Sequence, residues 1–201
     1  MSYTNKINNY QGDCKILLGK YPMFSDYVKN FSITRRIGSY GLDLGTGPGG
    51  CNGSFFTLTT IDGCDAEKEV LKSLSTYIYN KIFYFVLGKD QLPYINNSLD
   101  YIVCSCVIQH LNNFSELEHG LNEIFRVLKT GGNLFLMFKV GSNDTLLTHF
   151  NSYYSEERSF RVFSQEAIKK LSESLGFKQT SCDYLLDENH IPYCCNVFVK
   201  H

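Results

Sequence analysis

One short stretch constrains the fold more than any other: Tyr40–Gly50, reading YGLDLGTGPGG. An apolar run carrying a single carboxylate, Asp43, feeds directly into Gly45, Gly47, Gly49 and Gly50. Glycine permits a tight turn and lets bare backbone N–H groups approach a ligand closely. A helix start just beyond such a turn favours anionic groups through its dipole. Open parallel sheets hold their ligands beyond the carboxyl ends of the strands, where this turn would lie. The stretch therefore predicts both a type of sheet and the place of its site.

The rest of the chain alternates as that sheet requires. Extended apolar runs lie at Leu58–Cys64, Ile82–Gly88, Leu99–Ile108 and Asn133–Val140, and two more at Phe177–Leu186 and Tyr193–Lys200. Between them the pattern predicts helices over Ala66–Asn80, with an acidic first turn, and over Phe114–Leu128. In the latter, Leu117, Leu121, Ile124, Phe125 and Leu128 share one face. A third helix, Gln165–Gly176, follows a capping Ser164. KTGG, 129–132, is expected to end the middle helix and turn the chain. Tyr21, Phe24, Val28 and Phe31 recur at helical spacing ahead of the first strand. Alternating strands and helices argue for a mostly parallel sheet covered on both faces. With 201 residues the expectation is one domain over 1–201, residues 1–39 forming an N-terminal helical segment.

Composition narrows the partners. A net charge of -1 with 19% charged residues gives no electrostatic case for nucleic acid or a membrane surface. None of the eight cysteines is spaced C-x2-C, and several sit in apolar runs, so reduced core thiols and no metal site are expected. The first residues are polar and no apolar run reaches 18 residues, which leads to the expectation of a soluble, cytoplasmic protein.

Asp65 stands 20 residues past Gly45 at the end of the second predicted strand, from where a carboxylate reaches a ribose hydroxyl pair. Asp62 is the alternative, but falls inside the strand. No GxxxxGK[ST] is present, which excludes the phosphate loop of ATPases. On spacing alone, NAD and S-adenosylmethionine (SAM) both remain open. Asp43, two residues before the first glycine, tilts the balance toward SAM, whose ammonium or surrounding loop it could orient.

These segments resemble the class I SAM-dependent methyltransferases from about Tyr40 to Lys200. LDLGTGPG is similar to their glycine motif, IDGCDA to the end of their second strand, LPYINNSLDYIVCSCVIQHL to the segment holding their fourth, and LNEIFRVLKTGGNLFLMF to the approach to their fifth. The resemblance implies an α/β fold: a three-layer Rossmann-like sandwich with a mostly parallel seven-stranded sheet and an antiparallel C-terminal strand. It implies SAM as cofactor, with Gly45, Thr46, Gly47 and Gly49 against its methionine part, Asp43 on its ammonium side and Asp65 on both ribose hydroxyls. Ala66, Asp90 and Cys106 complete the expected cofactor set. The family often has an acidic adenine contact four positions before its Leu-Pro pair. Gly88 stands there instead, and Asp90 could substitute only through a differently bent loop. The stretch after the glycine turn, CNGSFF, is also short, so the first helix is expected to be stunted.

On the acceptor side, His110 is the candidate acid–base residue, with a strand-closing hydrogen bond as its other reading. Gln109 is expected to line the pocket, Tyr21 to belong to a packing helix or a lid, and Tyr153 and Arg161 to a substrate-binding insertion after the fifth strand. The implied activity is methyl transfer to an O, N or S atom of a small molecule. Alternatives are a tRNA wobble-uridine methyltransferase, to which GCD, VIQHL and SFRVF bear a narrower likeness, an NAD-dependent oxidoreductase, and a non-catalytic SAM-binding partner protein. Oligomeric state is left open by the sequence.

Overall fold

A computed structural model describes residues 22–142, 144–151, 156–186, 190 and 192–201. Tyr21 and Tyr153 lie outside them. The elements run α1 (Pro22–Ile33), β1 (Tyr40–Leu44), a 3-10 turn (Gly53–Phe55), β2 (Thr60–Asp65), α2 (Lys68–Ser73), β3 (Ile82–Tyr84), β4 (Leu99–Ser105), a second 3-10 turn (Ile108–His110), α3 (Phe114–Val127), β5 (Leu128–Lys139), β6 (Thr145–Asn151), β7 (Glu156–Val162), α4 (Gln165–Ser174), β8 (Phe177–Leu186) and β9 (Pro192–Lys200).

Seven strands form one sheet in the order β3-β2-β1-β4-β5-β9-β8. The pairs from β3 to β5 are parallel; β9 runs antiparallel to both neighbours, β5 and β8. This is the mostly parallel seven-stranded sheet with an antiparallel C-terminal strand that the sequence led us to expect. Its parallel strands are continuous apolar runs because both faces are covered. On one face Val28 and Phe31 of α1 and Val70 of α2 pack with Tyr101, Phe135 and Tyr193. On the other, Leu117, Leu121 and Ile124 of α3 and Ile168 of α4 pack against Leu42, Ile102, Leu136 and Phe198.

The helix ends follow local chemistry. Asn113 caps α3 by accepting the Glu116 N–H at 2.9 Å, and Ser164 caps α4 by accepting from Ala167. At the other end of α3, Lys200 donates to the carbonyls of Phe125 (2.6 Å) and Leu128 (2.8 Å) and to Asn97 Oδ1. A cation placed there satisfies orphan carbonyls and complements the dipole.

Several boundaries differ from expectation. The helix expected over Ala66–Asn80 stops at Ser73, because Tyr79 is drawn into the core, where its hydroxyl meets Asp43. Strand β3 ends at Tyr84 rather than Gly88, and β4 at Ser105 rather than Ile108. KTGG does not leave the sheet. It lies inside β5 as an irregularity, with the pairing jumping from Leu99↔Leu128 to Tyr101↔Asn133. The stretch after β1 holds only the 3-10 turn, the stunting that was expected. Residues 145–162 form a β-hairpin, β6–β7, beyond the main sheet. Cys51 is disulfide-bonded, which corrects the expectation of eight reduced thiols and removes its support for reducing surroundings. Spacing along the chain cannot reveal which sulfurs meet in space. No helix among the described residues is long and apolar enough to cross a membrane.

Candidate active site

Because β1, β2, β4 and β5 are parallel, their carboxyl ends gather the glycine turn, Asp65, Cys106 and Lys139 at one end of the sheet. Gly45, Gly47, Gly49 and Gly50 all have positive φ, between 61° and 77°. At Gly45 a Cβ would also come within 2.4 Å of the Val107 side chain, so both conformation and space demand glycine there. At Gly47 a Cβ would meet nothing within 4 Å; the turn is open on that side.

The backbone donors of the turn are used inside the protein, contrary to the expectation of bare N–H groups. Gly45 and Thr46 donate to Cys64 O, Gly50 donates to Gly47 O, Gly47 donates to Asp65 Oδ2 at 3.0 Å, and Gly49 donates to Ser73 Oγ at 3.2 Å. A pyrophosphate requires such donors to face it, so this turn is poorly suited to a dinucleotide. It suits a ligand without phosphate.

Three aspartates separate into three environments. Asp62 is fully buried within β2, accepting from Tyr94 at 2.7 Å, from Asn80 at 2.9 Å and from the Tyr40 hydroxyl. That clamp removes it as the ribose candidate and, with burial, pushes the Tyr40 phenol up to about 12. Asp43 is also fully buried. Its Oδ2 accepts from Tyr79 at 2.6 Å, while Oδ1 has no hydrogen-bond partner. Burial pushes its carboxyl up to about 6, against the opposing pull of Tyr79 and the nearby Asn52. Asp43 therefore reaches a ligand only through the loop around it. Asp65 is partly exposed at the strand end. Its Oδ1 accepts from Glu67 N–H at 2.9 Å and its Oδ2 from Gly47; burial raises its pKa while these N–H groups oppose the shift. The Ala66 N–H and the Thr46 hydroxyl oppose the shift in the same way.

Tyr79 was not anticipated as part of this site. Its ring fills the space left by three glycines: a Cβ at Gly50, Gly53 or Gly63 would approach it within 2.5–2.9 Å. Those glycines were the only sequence signal for a large side chain here.

The family comparison agrees with this geometry. Residues 42–136 match the family model described as "Methyltransferase domain". That match covers just under half of the chain. Among related proteins, a methyltransferase of Encephalitozoon cuniculi is 26% identical over 102 residues, 44% of this chain and 49% of its own length. The chain thus spans about half the length of that relative. The ubiquinone/menaquinone biosynthesis C-methyltransferase UbiE of Vibrio cholerae is 25% identical over 203 residues, 81% of this chain and 77% of its own. In fold, the chain is similar to a TehB-like SAM-dependent methyltransferase from Corynebacterium glutamicum, with a TM-score of 0.71, 16% identity and coverage of 97% and 98%.

SAM is the cofactor of this class, and the residues present fit it. The Thr46 hydroxyl is buried at the foot of the open turn beside the Asp65 carboxylate, which stands one strand over at the strand end, partly exposed. Two positions bear on the expected adenine side. Position 88 is glycine because φ is +83° there and a Cβ would fall 2.6 Å from Glu116 O, in the first turn of α3. Asp90, the expected substitute, bends back to accept the Val86 N–H at 2.8 Å within its own turn. Ala66 is exposed beside Asp65.

Beyond the carboxyl end of β4, Cys106 has φ +61°, an uncommon value for a non-glycine residue. Its N–H is held by Met137 O at 2.8 Å. Gln109 is buried and its Oε1 accepts from Lys139 N–H at 3.3 Å, tying the turn after β4 to the end of β5. His110 is exposed, with its ring 5.4 Å from that of Phe160 on β7. Arg161 pairs with Asp144 at 2.7 Å, bracing the base of the hairpin, and its Nε is buried without a partner. Sequence reading did not place Lys139 of β5 between Phe160 of β7 and Tyr193 of β9, 4.5 and 5.1 Å from their ring centroids, with Phe24 of α1 edge-on to Tyr193.

Proposed function

We propose that this chain transfers the methyl group of SAM to an O, N or S atom of a small-molecule acceptor. The observation that carries the reading is the Asp65 carboxylate beside the open glycine turn, at the carboxyl end of the sheet of a methyltransferase domain. When bound, SAM supplies a methyl already activated on a positive sulfur. The protein then has to hold the donor, align the nucleophile behind the methyl and exclude water.

In this reading Asp65 accepts the ribose hydroxyls, Gly45, Thr46, Gly47 and Gly49 shape the wall for the methionine part, and Asp43 sets the loop behind it. Ala66 and Cys106 border the ligand from the ends of β2 and β4. Gln109 fixes the turn after β4, and His110, open to solvent and beside Phe160, relays a proton from the acceptor to water. Tyr21 and Tyr153 would complete the acceptor cover, and Arg161 holds the hairpin through Asp144. The likeness to UbiE favours a carbon acceptor as the second reading. A net charge of -1 supports a small molecule over tRNA. Calorimetric titration with S-adenosylhomocysteine tests the cofactor half. Saturable binding, lost or strongly weakened in Asp65→Ala, is expected. Binding unaffected by that change removes Asp65 from the site.

A further inference from the structure

Cys182 of β8 and Cys194 of β9 meet with their Sγ atoms 3.2 Å apart. The contact follows from the strand pairing. Cys182 stands opposite Asn196 and Tyr184 opposite Cys194, so the two cysteines are diagonal neighbours on one face of the sheet, the face packed with Ile168 and Leu171 of α4. β8 is the outer strand, paired to β9 alone, and its register shifts between Gln179 and Ser181. An irregularity of that kind bends and twists the strand. Polar groups gather around the sulfurs. Asn196 Nδ2 donates to Cys194 Sγ at 3.1 Å, Gln165 Nε2 at the start of α4 donates to Cys182 Sγ at 3.5 Å, and the Tyr184 hydroxyl lies beside both. Donors of this kind stabilise a thiolate. The two thiols differ in access. Cys194 is buried, and burial first and Cys182 second push its thiol up to about 12. Cys182 is partly exposed. A sheltered thiol behind a reachable one is the arrangement of a resolving cysteine behind an attacking one.

We propose that Cys182 and Cys194 form a reversible disulfide site that takes a small-molecule disulfide of the glutathione type as co-reactant. The Cys182 thiolate attacks one sulfur of that disulfide, giving a mixed disulfide and releasing one small thiolate. The Cys194 sulfur then attacks Cys182 Sγ and displaces the second small thiolate. The protons of the two protein thiols end on the two released thiolates. The protein pair loses two electrons and the small disulfide gains them. The existing contact favours the second step, because the nucleophile already touches the sulfur it attacks. Bonding requires the sulfurs to close to about 2 Å, an approach shared between two side chains and an outer strand held on one side only. The bridge ties β8 to β9 and takes Cys182 from the Gln165 amide, which keeps Asn196. β8 lies at the far edge of the sheet from β2 and β3, with β1 and its glycine turn between them and β4, and the proposal does not depend on the methyltransferase reading.

The test incubates the full chain with oxidised glutathione, denatures it in excess alkylating agent and maps every cysteine by mass spectrometry. Cys64 and Cys104, buried in the core, are the internal reference for thiols that do not react. In the wild type, Cys182 and Cys194 should leave the alkylated pool together and return as one cross-linked species, which dithiothreitol reverses. Cys194→Ser should stop at a glutathione adduct on Cys182. In Cys182→Ser, Cys194 should stay in the alkylated pool with Cys64 and Cys104. A wild type that retains glutathione on Cys182, or in which both thiols stay alkylated, overturns the proposal. Loss of Cys194 from the alkylated pool of Cys182→Ser as fast as in the wild type overturns it as well. The wild-type map needs no substitution, so it decides the question even where a variant folds poorly.

Discussion

The two halves of the site are built on opposite principles. The cofactor half, from β1 and β2, is made of glycines and carboxylates whose places follow from a contiguous motif and one 20-residue spacing. The half expected to face an acceptor, from β4, β5, β7 and β9, is made of aromatics around a buried cation drawn from distant segments. A methyl donor can be recognised by local backbone shape, because its chemistry is common to the whole class. An acceptor is recognised by side chains that only tertiary packing brings together.

The largest expected effect breaks the cofactor half. Gly45→Ala forces a Cβ into a residue at φ +74° and against Val107, costing about 2–4 kcal/mol from left-handed strain and overpacking together. Urea denaturation would read that loss as a lower midpoint. Asp65→Ala comes next. Removing a charged acceptor from two hydroxyls weakens S-adenosylhomocysteine by about one to two orders of magnitude, or about 1.5–3 kcal/mol, measured by calorimetry.

Asp43 offers a pH-resolved prediction. Its carboxyl, raised to about 6 when folded against an ordinary 3.8, keeps its proton where the unfolded chain has lost it. Stability from this group therefore falls as pH rises from about 4 to about 6, and the full penalty holds above that, about 3 kcal/mol by linkage. Other carboxylates, such as Glu123 held low by Arg126, act in the opposite sense, so the wild-type profile alone is uninformative. The Asp43→Asn variant should gain on wild type across that window and run parallel above it. Denaturation curves at stepped pH would expose a flat difference if the assignment is wrong. Tyr79→Phe removes the hydrogen bond to Asp43 and should cost about 1–3 kcal/mol, most at neutral pH where Asp43 is charged.

The smallest effect belongs to the β6–β7 hairpin. Arg161 and Asp144 form a partly exposed pair, so Arg161→Met should change stability by no more than about 1 kcal/mol and leave cofactor affinity alone. A large loss of cofactor affinity would mean that the two halves are coupled through the hairpin.

The geometry of the glycine turn was largely legible because its signals are local. The apolar run into Gly45–Gly50 and the strand-end place of Asp65 needed no long-range knowledge. Asp62 against Asp65 could be ranked by position, and the clamp of Tyr40, Tyr94 and Asn80 gives the physical cause. The loop at Gly88 was readable only as a departure. That an acid cannot fit there depends on Glu116, 28 residues away. The helix expected past Ser73 failed because tertiary burial of Tyr79 outweighed helical periodicity.

By itself, then, the order of residues determined the sheet and its covering layers and the end of it that holds the glycine turn, because strand runs, caps and glycine turns act over a few neighbours. Tertiary structure alone decided which aspartate is sealed and which is presented, that Cys51 is oxidised, and that a lysine is buried among rings at the end of β5. Burial and pairing in space set the energy of a charge, and both depend on residues far apart along the chain.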